Sequence, residues 1–261
     1  MDVVGLSTPE QFFLLGSRVD NLTMQDTLDR LIAWATQGQS RQISFVNAHC
    51  LNVAYYDSAY LKILNESDLV LADGSGVRMG AEANGIKVKD NVNGTDMFPL
   101  LCQRLQKEPL GLFILGAAPG VADDVAKWAE TNYPGIRIAG INDGFFNAQQ
   151  EEAVLAKIRD SKAAIVLVAM GVPRQELWID SVLTKIPGTV CLGVGGLLDF
   201  YSGRVSRAPR WLRAIGQEWV WRLLQEPSRM WKRYLVGNLL FLWRVRRHRF
   251  ATAPRYRSGE V

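Results

Sequence analysis

Asp73 closes an apolar run, residues 69–73, and is followed by Gly74, Ser75 and Gly76, small residues that let a ligand come close to the backbone. A carboxylate in that setting can accept a proton from a sugar hydroxyl, or it can cap a helix that begins near Ser75. Gln175 and Glu176 stand behind Pro173 and Arg174, after the run 163–171. Gln175 could donate to a diphosphate oxygen, whereas Glu176 suits the first turn of a helix. Gly116 and Gly120 bracket a turn whose helix-start amides could bind a phosphate, although Asp123 and Asp124 just beyond would resist an anion. Their spacing is neither a Walker loop nor GxGxxG. Asn47 and His49 follow the run 43–47, His49 reading as a structural histidine. Phe145 and Phe146, behind Asp143 and Gly144, could stack on a base or cap the core. Asp199 ends the stretch Gly195-Gly196-Leu197-Leu198.

Each of these groups sits at the end of a strand-like run. The runs are 43–47, 69–73, 111–116, 136–141, 163–171 and 189–195. Between them, 51–64, 76–83, 96–107, 121–132, 149–161 and 174–185 carry helical spacing. This alternation is the mark of βαβ units, and a run such as Ile165-Val166-Leu167-Val168-Ala169, apolar at every position, belongs in a parallel sheet covered on both faces. The predicted fold is α/β, a Rossmann-like parallel sheet flanked by helices. Ligands in such folds bind beyond the carboxyl ends of the strands, where the polar and glycine residues are.

Charge divides the chain. Residues 1–203 hold 16 Lys and Arg against 23 Asp and Glu, while 204–257 hold 13 Arg and one Lys against Glu218 and Glu226. That tail also holds five of the eight tryptophans, and Arg with Trp suits a lipid headgroup interface. We therefore divide the chain into a Rossmann-like domain, 1–203, expected to be the catalytic domain because it carries the strand-end residues above, and a basic C-terminal helical appendage, 204–261. Pro209 and Pro227 divide the appendage into predicted helices 210–225 and 228–248. Stripes of Leu212, Ile215, Trp219 and Leu223, and of Trp231, Leu235, Leu239 and Leu242, would lie on an anionic membrane, or else on the catalytic domain or a second copy of the chain. No run approaches the roughly 20 apolar residues of a membrane span, and no secretory signal is visible in the first 20 residues, so the expected location is the cytoplasmic face of the membrane, held peripherally. The three cysteines, Cys50, Cys102 and Cys191, form no CxxC pair and read as buried apolar residues.

The strand-end stretches, taken in order, resemble the WecG/TagA/CpsF family of bacterial glycosyltransferases. The stretches are Val46-Asn47-Ala48, Ala72-Asp73-Gly74-Ser75-Gly76-Val77, Asn93-Gly94-Thr95-Asp96, and Leu115 through Val121. Asp143-Gly144-Phe145-Phe146, Gly171 through Trp178, Gly193 through Asp199, and Arg207-Ala208-Pro209 complete them. The resemblance implies an inverting transferase that moves a sugar from a UDP donor to a polyprenyl-diphosphate-linked sugar without a metal ion or other cofactor. It makes Asp73 the base, puts Asn47 and Gln175 in the active site, and puts Phe145 and Asp199 near uracil and ribose. No Asp-x-Asp motif of the metal-binding kind is present in the sequence. Arg222, Arg229 and Arg233, with Lys232 nearby, are then the candidates to neutralise the departing UDP. Arg222 could instead form a surface pair with Glu218, four residues away.

Two departures bear on the sugar. Phe45 stands where the family often has Thr, and Asn91 where it commonly has Arg before the Val-x-Gly-x-Asp stretch. With those polar contacts gone, a neutral hexose is favoured, UDP-glucose as in xanthan-type exopolysaccharide assembly. The alternative is UDP-N-acetylmannosamine or its uronic acid. Two rivals from other classes are weaker. A nicotinamide oxidoreductase would need GxGxxG after its first strand, and a nucleic-acid-binding protein would use the Arg-rich tail but leaves the acidic first 203 residues unexplained.

Overall fold

The computed structural model describes residues 7–248, apart from the side chains of Ala214 and Arg229. Among the described residues one sheet contains β1 (Gln11–Leu14), β2 (Ser17–Asp20), β3 (Arg41–Val46), β4 (Leu69–Ala72), β5 (Gly111–Gly116), β6 (Arg137–Asn142), β7 (Ile165–Ala169) and β8 (Val190–Gly193). Their order is β1-β2-β4-β3-β8-β7-β5-β6; β1 and β2 form an antiparallel hairpin, and the remaining pairs are parallel. Alternation along the strands serves both faces. Ile43, Phe45, Leu112, Ile114, Ile165 and Leu167 join one core, while Phe113, Leu115, Val166 and Val168 join another on the opposite face. The α/β Rossmann-like architecture is as the apolar runs require.

Three local differences have physical reasons. The segment 51–64 is two helices, Ala48–Ala54 and Ser58–Glu66, because Asp57 takes an extended conformation and its carboxylate accepts from the Tyr60 N–H at 3.0 Å. The hairpin and the helix Met24–Thr36 occupy residues to which the sequence pattern assigned nothing. The predicted helix 210–225 is broken at Gly216, whose φ of +72° lies in the left-handed region, leaving Arg210–Ala214 and Glu218–Gln225.

From Pro227 to His248 the chain is one helical rod: Pro227–Trp231, a π-helical turn Lys232–Val236, and Gly237–His248. The rod docks on the helices Ala48–Ala54 and Ser75–Ala83. Phe241 and Val245 are buried with Leu51, Val77 and Ala81. Gly80 leaves room for the Phe241 ring, since a Cβ there would lie 3.0 Å from Cζ. Asn52 Nδ2 donates to the Gly237 carbonyl at 2.7 Å, and Arg244 donates to Asn52 Oδ1 at 2.7 Å. One face of the basic segment thus belongs to a core shared with the first 203 residues. The other face exposes Trp231, Leu235, Leu239 and Trp243.

Candidate active site

The carboxyl ends of β4, β3, β8 and β7 open into a cleft of about 430 Å³ lined by Asn47, His49, Asp73, Gln175, Arg222 and Arg233 among others. The all-buried strand β4 delivers Asp73 to its floor, where the backbone N–H of Asp73 donates to the Val46 carbonyl at 2.9 Å. The following residue, Gly74, has a φ of +90°, and its N–H donates to Asn91 Oδ1 at 2.6 Å. Asn91, one of the two departures, therefore pins the loop behind the carboxylate. Asn47 is the N-cap of Ala48–Ala54: its Oδ1 accepts from the N–H groups of His49 and Cys50 at 3.0 and 3.2 Å, and its Nδ2 donates to Asp73 Oδ2 at 3.4 Å. Burial pushes the Asp73 carboxyl up to about 6, against the downward pull of that hydrogen bond and of the Arg233 charge. The helix beginning at Ser75 has no side-chain cap, so capping is not what occupies Asp73.

Gln175 is buried and its amide is largely committed. Its Oε1 accepts from the N–H groups of Gly171 and Gly195 at 3.2 and 3.0 Å, fastening the β7 loop to the β8 loop, and its Nε2 donates to Glu176 Oε1 at 2.8 Å. One N–H remains for a ligand. Beneath it Glu176 is fully buried, and burial pushes its carboxyl up to about 7.

The tail covers this cleft. Arg222 lies over the Phe200 ring at 5.0 Å and against Gly196, where a Cβ would come within 2.7 Å of Nη2. It pairs with Asp199 at 3.7 Å and with Glu226 at 3.5 Å. The alternative partner, Glu218, is taken instead by Arg207 at 3.4 Å, and Arg207 also holds Asp96 at 2.8 Å. Those contacts join the Asn93–Asp96 stretch to Arg207-Ala208-Pro209 and so hold the helix Glu218–Gln225 over the site. Arg233, on the π turn, has a buried Nε without a hydrogen-bond partner among the described residues. The side chain of Arg229 lies outside those described.

Gly116, Gly120, Phe145 and Asp199 stand apart from the cleft's lining. Gly116 is required where β5 meets β7, for a Cβ would lie 2.3 Å from the Ala169 carbonyl oxygen, and its φ is +131°. Gly120, with a φ of +83°, begins the helix Val121–Asn132. Phe145 is 73% exposed, and Asp199 meets the site through Arg222. His49 was passed over as structural, yet it lines the cleft, and burial together with the Arg233 charge pushes it down to about 4. A lone histidine at a helix start gives no sign of that. Among the described residues no group of three or more His, Cys, Asp and Glu is arranged to hold a metal ion.

The parallel sheet thus carries a half-buried carboxylate at the end of β4, in a cleft to which the tail brings Arg222 and Arg233. The sequence profile described as Glycosyl transferase WecG/TagA/CpsF family matches residues 12–255, and the chain belongs to that family. It is 34% identical over 208 residues to an N-acetylglucosaminyldiphosphoundecaprenol N-acetyl-beta-D-mannosaminyltransferase of Bacillus spizizenii, covering 80% of this chain and 79% of that protein. It is 35% identical over 193 residues to the protein of the same name from Bacillus subtilis, covering 74% of each.

Proposed function

We propose that the chain transfers N-acetylmannosamine from its UDP derivative to N-acetylglucosaminyl-diphospho-undecaprenol, with inversion, in the assembly of a surface polysaccharide. The observation that carries this reading is the Asp73–Asn47 pair on the floor of a cleft roofed by Arg222 and Arg233. The acceptor hydroxyl attacks the anomeric carbon from the face opposite UDP. The bond from that carbon to the diphosphate oxygen breaks with its electron pair, and the hydroxyl proton passes to Asp73. A carboxyl raised to about 6 is a stronger base than an ordinary aspartate and is still ionised at neutral pH. Asn47 orients it. Arg222 meets the charge that develops on the departing diphosphate, and the nucleoside extends past Asp199 toward Gly120 and Phe145. The remaining N–H of Gln175 is directed to the same diphosphate.

The names of the relatives favour N-acetylmannosamine over glucose. The preference for glucose rested on Phe45 and on the missing arginine at Asn91, but N-acetylmannosamine is uncharged and does not need that cation. Asn91 has work of its own in holding Gly74. Asp73 remains the base with either sugar.

We also propose that the enzyme works peripherally, at the cytoplasmic face of an anionic membrane. No helix of the described residues is long and apolar enough to cross one. Exposed Trp211, Ile215, Leu224, Leu235, Leu239 and Trp243, beside Arg246 and Arg247, support a headgroup-level contact.

UDP release from a panel of UDP-sugars, with and without N-acetylglucosaminyl-diphospho-prenol, tests the reading. Acceptor-dependent release from UDP-N-acetylmannosamine is expected. Release from UDP-glucose alone would restore the glucosyl donor, and no release from any donor would overturn the assignment.

A further inference from the structure

A second, more open cavity, about 910 Å³, runs between the helix Ala48–Ala54 with the turn after it and the rod that begins at Pro227. It is an open groove. His49 and Arg233 line both this groove and the catalytic cleft, so the two spaces meet at those side chains. The composition of the groove changes along its length. At the junction are His49, Arg233 and Lys232; farther along the rod come Val236 and Leu240, with Val53 and Tyr56 from the other side of the lining, and Arg244 and Asp57 follow.

The walls are built rather than incidental. Arg244, only 2% exposed, donates to Asn52 Oδ1 and to the Tyr56 hydroxyl, and lies 4.5 Å from the ring centroids of both Tyr55 and Tyr56. With Asn52 holding the Gly237 carbonyl, these contacts set the separation of the two sides. Yet Tyr56 is 77% and Val236 53% exposed, so large apolar groups stand in the groove uncovered. At its cationic end the buried Nε of Arg233 has no hydrogen-bond partner, and Arg233 forms no ion pair among the described residues. A buried guanidinium donor without an acceptor is costly, and an anion at the junction would satisfy it. His49 beside it is held neutral chiefly by its burial, with the Arg233 charge adding to the effect.

An anionic head joined to an apolar chain matches this sequence of surfaces, with the head placed next to Asp73. We propose that the groove seats the lipid diphosphate of the acceptor, the diphosphate between Arg233, Lys232 and His49 and the first isoprenoid units along Val53, Tyr56, Val236 and Leu240. The inference rests on the lipid-linked acceptor of the proposed function and adds its location. It divides the cations of the tail: Arg222 serves the diphosphate of the donor, Arg233 that of the acceptor. A chain leaving the groove follows a rod that exposes Leu235 and Leu239, so it emerges at the apolar face proposed to meet the membrane.

The test is photolabelling of the full chain in detergent-free buffer with a farnesyl diphosphate that carries a diazirine on its chain, mapped by mass spectrometry. Labels are expected within residues 52–59 and 230–240, competed by unlabelled prenyl diphosphate and not by phosphatidylglycerol vesicles. Labels elsewhere, or competition by the vesicles alone, would overturn the proposal. In parallel, Val236→Asp and Leu240→Asp, both at exposed positions, should raise KM about tenfold for a farnesyl-diphosphate-linked acceptor while leaving KM for its methyl-diphosphate counterpart and for the donor unchanged. Equal effects on the two acceptors, or none on either, would also refute it. Because the probe carries no sugar, groove labelling without sugar transfer would sink the proposed reaction alone, and transfer with labels elsewhere would sink the groove alone.

Discussion

The amide of Asn47 divides its two ends between fold and site: its oxygen caps the helix Ala48–Ala54, and its nitrogen reaches the Asp73 carboxylate at 3.4 Å. The residue that starts the helix also orients the base. Folding of β3 into that helix therefore fixes the direction of the carboxylate without any contribution from substrate.

With the Asp73 carboxyl raised to about 6, turnover should fall as pH drops through that value, because the protonated form cannot accept the hydroxyl proton. Asp73→Asn should lower kcat by roughly 10²–10⁴. The Asn47 hydrogen bond and the Arg233 charge both lower this pKa, so Asn47→Ala and Arg233→Gln should each shift the acid limb upward. A pH–rate profile with the limb unmoved in both variants would remove these residues from the control of Asp73.

Glu176 lies in the core with its carboxyl raised from 4.5 to about 7. The folded state holds that proton more tightly than the unfolded chain, so stability is lost as pH rises from about 4.5 to 7. Glu176→Gln, which keeps an oxygen to accept from Gln175, should raise the stability at pH 8 by up to about 3 kcal/mol and make little difference at pH 4. Denaturant titrations at the two pH values compare them directly.

Gly116→Ala should cost more than about 3 kcal/mol, because the added methyl would collide with the backbone of β7 and the φ of +131° disfavours a side chain. Gly195→Ala, with a φ of +56° and open space around it, should cost less. Equal urea midpoints for the two variants would contradict the packing argument.

Replacing both Leu239 and Trp243 by Gln should weaken binding to anionic vesicles by about tenfold or more, leaving turnover of a short-chain soluble acceptor intact. Truncation after Ser202 is a poorer experiment, since it would strip Phe241 and Val245 from the core. Unchanged co-sedimentation of the double variant would show that another surface holds the lipid.

Much of the sheet was legible because its strands are apolar at every position and end in glycine or polar residues. Asp73, Asn47 and Gln175 stand at those strand ends, the family resemblance singled them out there, and the structure brings them together in one cleft. Other relationships have no local trace. The hairpin strands are only four residues long, and Gln11–Leu14 alternates buried and exposed positions too briefly to register as periodicity. The Arg207–Asp96 pair spans 111 residues, and no spacing rule predicts it. Phe241 and Val245 stand four residues apart, like any membrane-facing stripe; only the space left by Gly80 distinguishes a side chain that enters the core from one that meets lipid.

The π-helical turn Lys232–Val236 makes the rod a matter of phase. In a plain α-helix each residue turns the axis by roughly 100°, so Arg233 and Phe241, eight positions apart, would point roughly 80° away from each other. One additional residue taken up in a wider turn cancels most of that offset. The same rod can then hold Arg233 in the cleft while Phe241 is locked in the core. Loss of a single residue there would swing one of them out of place, so the distance between chemistry and membrane is counted by this protein in angle as well as in length.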